Sequence, residues 1–208
     1  MDTLSILTFK AMVEQAHADI NERADEFSAL DAVCGDADHG TAMVDAMSAV
    51  KEAALEGTEF NTMLTNMAMN AMTKSCGSTS TLIGGFFLGM GLKASGTDLT
   101  KAQIKAMFQG GLQGVQNNTK AAPGSKTIMD ALVPAIEAIK ASEGDVNQMM
   151  LAAATAAEQG ALDTVNMQAS FGRARNLGER SIGSADPGAT SWSCMFQAFS
   201  NTINEKHS

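Results

Sequence analysis

Tyrosine is absent from this 208-residue chain, tryptophan occurs once, and aromatic residues make up only 5% of it. The core therefore has to be built mainly from aliphatic side chains and from methionine, of which there are 15. The three cysteines, Cys34, Cys76 and Cys194, are odd in number, widely spaced and without a CxxC pair, which excludes a disulfide framework and a thiolate zinc site. Positive charge is scarce too. Against 23 Asp and Glu stand 14 Lys and Arg, a net charge of −9, so no basic surplus exists to neutralise a nucleic-acid backbone. The most apolar stretch, Leu82 to Leu92, is glycine-rich and far short of the ~20 residues that span a bilayer. The opening MDTLSILTFK has no basic region followed by an apolar core, so it does not read as a signal peptide. Alternating runs of Val, Ile and Thr are missing as well. With 45% hydrophobic residues the chain still supports a folded core. The expectation is one cytoplasmic, all-α domain over residues 1–208, with no nucleic-acid or membrane partner.

What is present has the helical period. Ile104, Met107, Phe108, Gly111, Leu112 and Val115 follow the i, i+3, i+4, i+7 spacing of one buried face, and Thr100 is placed to cap that helix. Ile128, Met129, Leu132, Val133, Ile136 and Ile139 form a second face, with Pro134 inside it as a predicted kink. The turn Ala121-Ala122-Pro123-Gly124-Ser125 separates the two. Gly144-Asp145 precedes an Ala-rich helix predicted over 147–170, a polar loop follows over 171–186, and Pro187 suits the first turn of the last helix. About eight helices with short connections favour antiparallel neighbours in a bundle.

The polar signals fall between these helices. Asp31, Asp36 and Asp38 lie within eight residues, spaced D-x4-D-x-D, directly before a helix start. Carboxylates this close repel one another unless a cation sits between them, and hard divalent cations prefer oxygen ligands. An EF-hand does not fit, because Met47 stands where that loop needs its final Glu. A solvated acidic loop capping a helix is the competing reading, and His39 alone reads as a structural histidine. Gly77-Ser78-Thr79-Ser80-Thr81 sets hydroxyls and free N–H groups at another helix start, which suits an anion and equally an ordinary cap. Gly84, Gly85, Gly89 and Gly91 read as close-packing positions. Pro123-Gly124-Ser125-Lys126-Thr127 lacks the spacing of a P-loop, and Lys126 alone reads as a solvated surface lysine. Arg173, Arg175 and Arg180, three arginines in eight residues of an acidic chain, suit phosphate contacts or salt bridges, with Glu179 an adjacent partner. No Ser-His-Asp or Cys-His arrangement is supported, because the other histidines, His17 and His207, lie near the ends. Together the pieces make a Mg²⁺-phosphate site. Phosphoryl transfer needs mainly positioning and charge neutralisation, which this inventory can supply.

Four stretches, LDAVCGDADHGTAM, CGSTSTLIGGFF, PGSKTIMDALVPA and GRARNLGERSIGSADPGATS, resemble in order the DhaL-type L subunits of dihydroxyacetone kinases. The resemblance covers essentially the whole chain. It implies an eight-helix antiparallel up-and-down barrel with ADP or ATP bound by the loops at one end. Two Mg²⁺ ions would be held by the carboxylates matching Asp31, Asp36 and Asp38. His39, Gly40, Thr41 and Ala42 match a stretch that lies against the nucleotide, and Gly77, Ser78 and Thr79 match a Gly-rich loop. Thr119 is placed near the nucleotide and Ile128 against the base. Arg173 matches a phosphate-contacting, catalytic arginine, and Asp186, Pro187 and Gly188 match a closing loop.

The same resemblance implies half an enzyme, passing phosphate to a ketose that a separate K-type subunit holds on its own histidine. ADP would be a resident coenzyme rephosphorylated by a phosphohistidine protein of the sugar phosphotransferase system. ATP as an exchanging substrate, erythrulose as acceptor, a non-catalytic adaptor and a homodimer remain open alternatives. Two departures stand out. The family's GGASG is replaced by Cys76-Gly77-Ser78-Thr79-Ser80, and its PGDKT by PGSKT, which removes a carboxylate at Ser125.

Overall fold

The computed structural model describes residues 1–33, 35–75 and 77–205. Cys34, Cys76 and His207, named above, lie outside the described residues. Eight α-helices of 13 to 19 residues carry the architecture: α1 (Ile6–Glu22), α3 (His39–Glu56), α4 (Phe60–Lys74), α5 (Ser78–Gly91), α6 (Lys101–Gln116), α7 (Met129–Ala141), α8 (Val146–Asp163) and α9 (Pro187–Glu205). A ninth, α2 (Ala24–Ala32), is a short spur between α1 and α3. The long helices pack in the cyclic order α1, α3, α4, α5, α6, α7, α8, α9 and back to α1, so the bundle closes into a ring. Its thinnest seam lies between α6 and α7.

Local chemistry sets most helix starts. Ser5 accepts the Thr8 N–H at 3.1 Å. Thr100 with Gln103, and Asp145 with Gln148, form reciprocal capping boxes that satisfy two otherwise orphaned donors each. A strand pair that the sequence did not suggest, β1 (Thr3–Ser5) against β2 (Asp98–Thr100), sets Leu4 opposite Leu99. Three-residue strands are too short to show an alternating pattern.

Eight of the nine phenylalanines and Trp192 are buried. Phe86 packs edge-on to Trp192 with centroids 5.2 Å apart, and Phe9 to Phe60 at 5.5 Å. The core is thus methionine-filled as expected but organised on an aromatic chain, because the few rings available are almost all spent inside. The glycines act as anticipated at α5–α6: a Cβ on Gly89 would lie 2.0 Å from the Gly110 carbonyl oxygen, and one on Gly114 1.9 Å from that of Gly85. Cys194 is a buried free thiol.

Pro134 sits inside α7, where the sequence put it, and two other features differ from the sequence reading. The carbonyl of Asp130, deprived by Pro134 of its helical donor, faces Gly160 of α8, where a Cβ would come within 1.9 Å. The Ala-rich helix stops at Asp163 rather than near 170 and tightens into a 3-10 turn over Thr164–Asn166, whose Thr164 carbonyl accepts both the Met167 N–H at 3.1 Å and the Lys126 ammonium at 2.7 Å. The 171–186 segment is not plain loop: Arg173–Ser181 is 3-10 helical, with a break at Gly178. No helix among the described residues is long and apolar enough to cross a membrane.

Candidate functional site

The up-and-down alternation brings the N-termini of α3, α5, α7 and α9 to one end of the ring, where two adjoining clefts open. The larger, about 800 Å³, is walled by the 116–121 and 127–128 stretches between α6 and α7, by Leu82, Phe171 and Trp192, and by the start of α9. The smaller, about 310 Å³, is lined by Asp31, Asp36 and Asp38 together with Gly77, Ser78, Thr79 and Arg173.

The acidic set is built by the α2–α3 turn. Asp31 lies in the last turn of α2, its carboxylate accepts the Asp38 N–H at 3.1 Å, and its carbonyl accepts the Gly35 N–H. Gly35 leaves room there for the Asp31 carboxylate in this position, since a Cβ would fall 2.1 Å from it and push it aside. Ala37 takes a left-handed φ of 61° to swing Asp38 back toward Asp31. One carboxylate oxygen from each of the three aspartates lies within 4.8 Å of the others. Asp36 forms an ion pair with Arg173, which holds its carboxyl below the ordinary range. Asp38 is shifted upward, first by desolvation and then by the charges of Asp36 and Asp31. Three hard oxygen donors at this separation, with one cation already drawn to them, are a donor set that fits a divalent ion such as Mg²⁺.

Helix starts supply the opposite charge. Gly77, with φ 105°, opens α5 and leaves open space where a side chain would point. Ser78 and Thr79 line both clefts, whereas Ser80 is buried and donates back to the Gly77 carbonyl at 3.0 Å. The three hydroxyl residues after Gly77 thus divide: two face the clefts and one closes the turn. At α3, His39 lines both clefts, and its Nε2 lies 2.9 Å from the Ser191 hydroxyl. That hydroxyl donates to the Gly188 carbonyl at 3.0 Å, so Nε2 is the donor to Ser191. Burial lowers the His39 pKa, which makes this the neutral Nε2–H tautomer near pH 7. Asp186 precedes α9 and caps it, accepting the Ala189 N–H at 2.7 Å, with Pro187 in the first turn. Burial pushes its carboxyl up to about 7, against the downward pull of that N–H.

Of the residues singled out from the sequence, Thr119, Ile128 and Gly188 line the larger cleft, Ala42, Gly77, Arg173 and the aspartates the smaller, and Asp186 and Pro187 both. Gly40 and Thr41 line neither. Gly40 is where α3 crosses α2, a Cβ there falling 1.9 Å from the Ala24 carbonyl, and Thr41 points to solvent. Lys126 is corrected outright. It is 2% exposed, takes φ 59°, and its ammonium donates to the carbonyls of Thr164 at 2.7 Å and Ser184 at 2.6 Å. The turn around it is wound on buried Asp130, whose carboxylate accepts the Gly124 and Thr127 N–H groups. Ser125 belongs to the same turn, accepting the Ala122 N–H at 3.3 Å, and lines neither cleft. Sequence reasoning missed Phe171, an exposed ring shared by both clefts; as the one phenylalanine outside the buried core, in a segment otherwise polar, it was the available signal.

A family model described as the DAK2 domain matches residues 33–201. The PEP-dependent dihydroxyacetone kinase ADP-binding subunit DhaL of Escherichia coli is 37% identical over 182 residues, covering 85% of this chain and 87% of that one. A D-erythrulose kinase of Mycolicibacterium smegmatis is 36% identical over 192 residues, covering 88% of this chain and 32% of its own length. Among solved structures, the dihydroxyacetone kinase of C. freundii in complex with AMP-PNP and Mg²⁺ superposes with a TM-score of 0.73 at 24% identity, over 97% of this chain and 35% of that one. The chain thus spans about a third of the single-chain kinases and most of the free-standing subunit. With the helix ring, the clustered carboxylates and these matches in agreement, the chain belongs to the DAK2-domain family.

Proposed function

We propose that this protein is the nucleotide- and Mg²⁺-binding subunit of a dihydroxyacetone kinase, passing a phosphoryl group to a ketose held on a separate K-type subunit. The observation that carries this reading is the junction of the two clefts: the carboxylates of Asp31, Asp36 and Asp38, with Arg173 paired to Asp36, line one small cavity with the α5 start, and it adjoins a roomier cleft with a largely apolar wall. A nucleotide fits that division, with its phosphates among N–H groups and its base against Ile128, Leu82 and Trp192. Asp31, Asp36 and Asp38 would hold magnesium, as two ions in the family's pattern, and the chemistry magnesium supplies is neutralisation of phosphate charge. The protein's own part is to present Ser78 and Thr79 at a helix N-terminus and to bring Arg173 to the transferring group. His39, held to Ser191 as a neutral donor, keeps α3 and α9 in register around it.

ADP as a resident coenzyme, recharged by a phosphohistidine protein of the sugar phosphotransferase system, is the preferred donor scheme. Its support is that the E. coli relative is named as PEP-dependent and ADP-binding and matches this chain over nearly its full length. Labelled ADP loaded with Mg²⁺ and chased with unlabelled ADP tests it, with Trp192 fluorescence as a second signal. Retention through gel filtration is expected. Release within seconds would make ATP an exchanging substrate, and failure to load would favour a non-catalytic adaptor. Asp36→Asn should abolish phosphotransfer with the helical fold intact; unchanged turnover would remove the metal role.

A further inference from the structure

We propose that Arg173 makes cation and phosphate binding interdependent, by competing with the divalent cation for Asp36 until a phosphate draws the guanidinium away. This rests on the functional reading above and adds to it a cause of cooperativity within the chain. Arg173 and Asp36 are both well exposed, at 68% and 50%, so the pair is held by charge and can exchange partners without unpacking any core. The guanidinium feels all three carboxylates: Asp36 acts on it most strongly, Asp38 and Asp31 from farther off. Arg173 follows Gly172, at φ 66° with nothing within 4 Å of its open side, at the head of the 3-10 segment and on the wall of the smaller cleft. It can therefore turn between the carboxylates and the α5 start within one cavity.

The consequence is a signed coupling. With no phosphate present, the guanidinium offsets one of the three negative charges and occupies Asp36, which lowers affinity for the cation alone. A single unit charge at contact range, in a water-like dielectric and under salt screening, shifts the affinity of a neighbouring cation several-fold and no more. A phosphate that takes up Arg173 releases Asp36, so cation and nucleotide each strengthen the other by the same factor.

The test is titration of the intact protein with Mn²⁺, read by calorimetry and by the electron paramagnetic resonance of free Mn²⁺, with and without ADP. R173Q should bind Mn²⁺ alone about three- to tenfold more tightly than the wild type at low salt, while the factor by which ADP strengthens Mn²⁺ binding shrinks. R175Q removes the same charge from the same exposed segment and should change Mn²⁺ affinity much less. Equal Mn²⁺ affinity in R173Q and wild type, or an equal gain in R175Q, overturns the exchange. A wild type that binds neither Mn²⁺ nor Mn²⁺–ADP overturns the functional reading itself.

Discussion

Lys126 shows how far one residue's meaning depends on what lies distant in sequence. Its ammonium ties the 123–130 turn to Thr164 and Ser184, 38 and 58 residues away, and so fixes both walls of the site end. Lys126→Met would leave one buried and one part-buried carbonyl without a charged donor, at a cost of about 2 kcal/mol. A drop of that size in the urea unfolding free energy is expected, and a change under 1 kcal/mol would show the tie to be dispensable. Asp186 makes a pH prediction with a definite sign. Folded, it holds its proton to about pH 7; unfolded, an aspartate releases it near pH ~4. Its contribution to stability is complete below the unfolded value and is lost as pH rises through the folded one. Unfolding free energies across that window should show wild type losing stability relative to Asp186→Asn, which keeps the cap but has no proton to release; parallel curves would refute the shift.

At the scale of elements, the α5–α6 contact is backbone on backbone. Gly89→Ala forces a methyl against the rigid Gly110 carbonyl and should destabilise by about 3 kcal/mol, whereas Gly84→Ala meets mainly the flexible Met72 side chain and should cost clearly less. Thermal melts of the two variants decide the order. The elements also show what was readable in the sequence. Helices with local start signals, at Thr100, Gly144-Asp145 and Pro187, lie where their caps put them, because a cap acts within one turn. The end of α8 was not readable, since the turn that follows it is held by Lys126 from 38 residues away, and neither was the β1–β2 pair, whose strands meet across nearly a hundred residues. The candidate site divides in the same way: the aspartate spacing and the hydroxyls after Gly77 are legible as local pattern, whereas Trp192 reaches the cleft wall only through packing.

On the whole-molecule scale, a ligand that binds only the folded ring stabilises it by mass action. Mg²⁺–ADP at about 100 times its dissociation constant should add ~2.7 kcal/mol, a rise in Tm of roughly 5–10 °C for a chain of this length. Differential scanning fluorimetry checks this, and an unshifted melt would speak against binding. The location of the gain follows from the seam between α6 and α7, the ring's thinnest, against which the larger cleft lies. A nucleotide lodged there would be a keystone: it would touch both flanks of the arch at the place where they barely touch each other. Amides of Gln116–Ala121 and of the first turn of α7 should accordingly be those whose hydrogen exchange slows most when the ligand arrives, while the tightly seamed α4–α5–α6 side keeps its own pace.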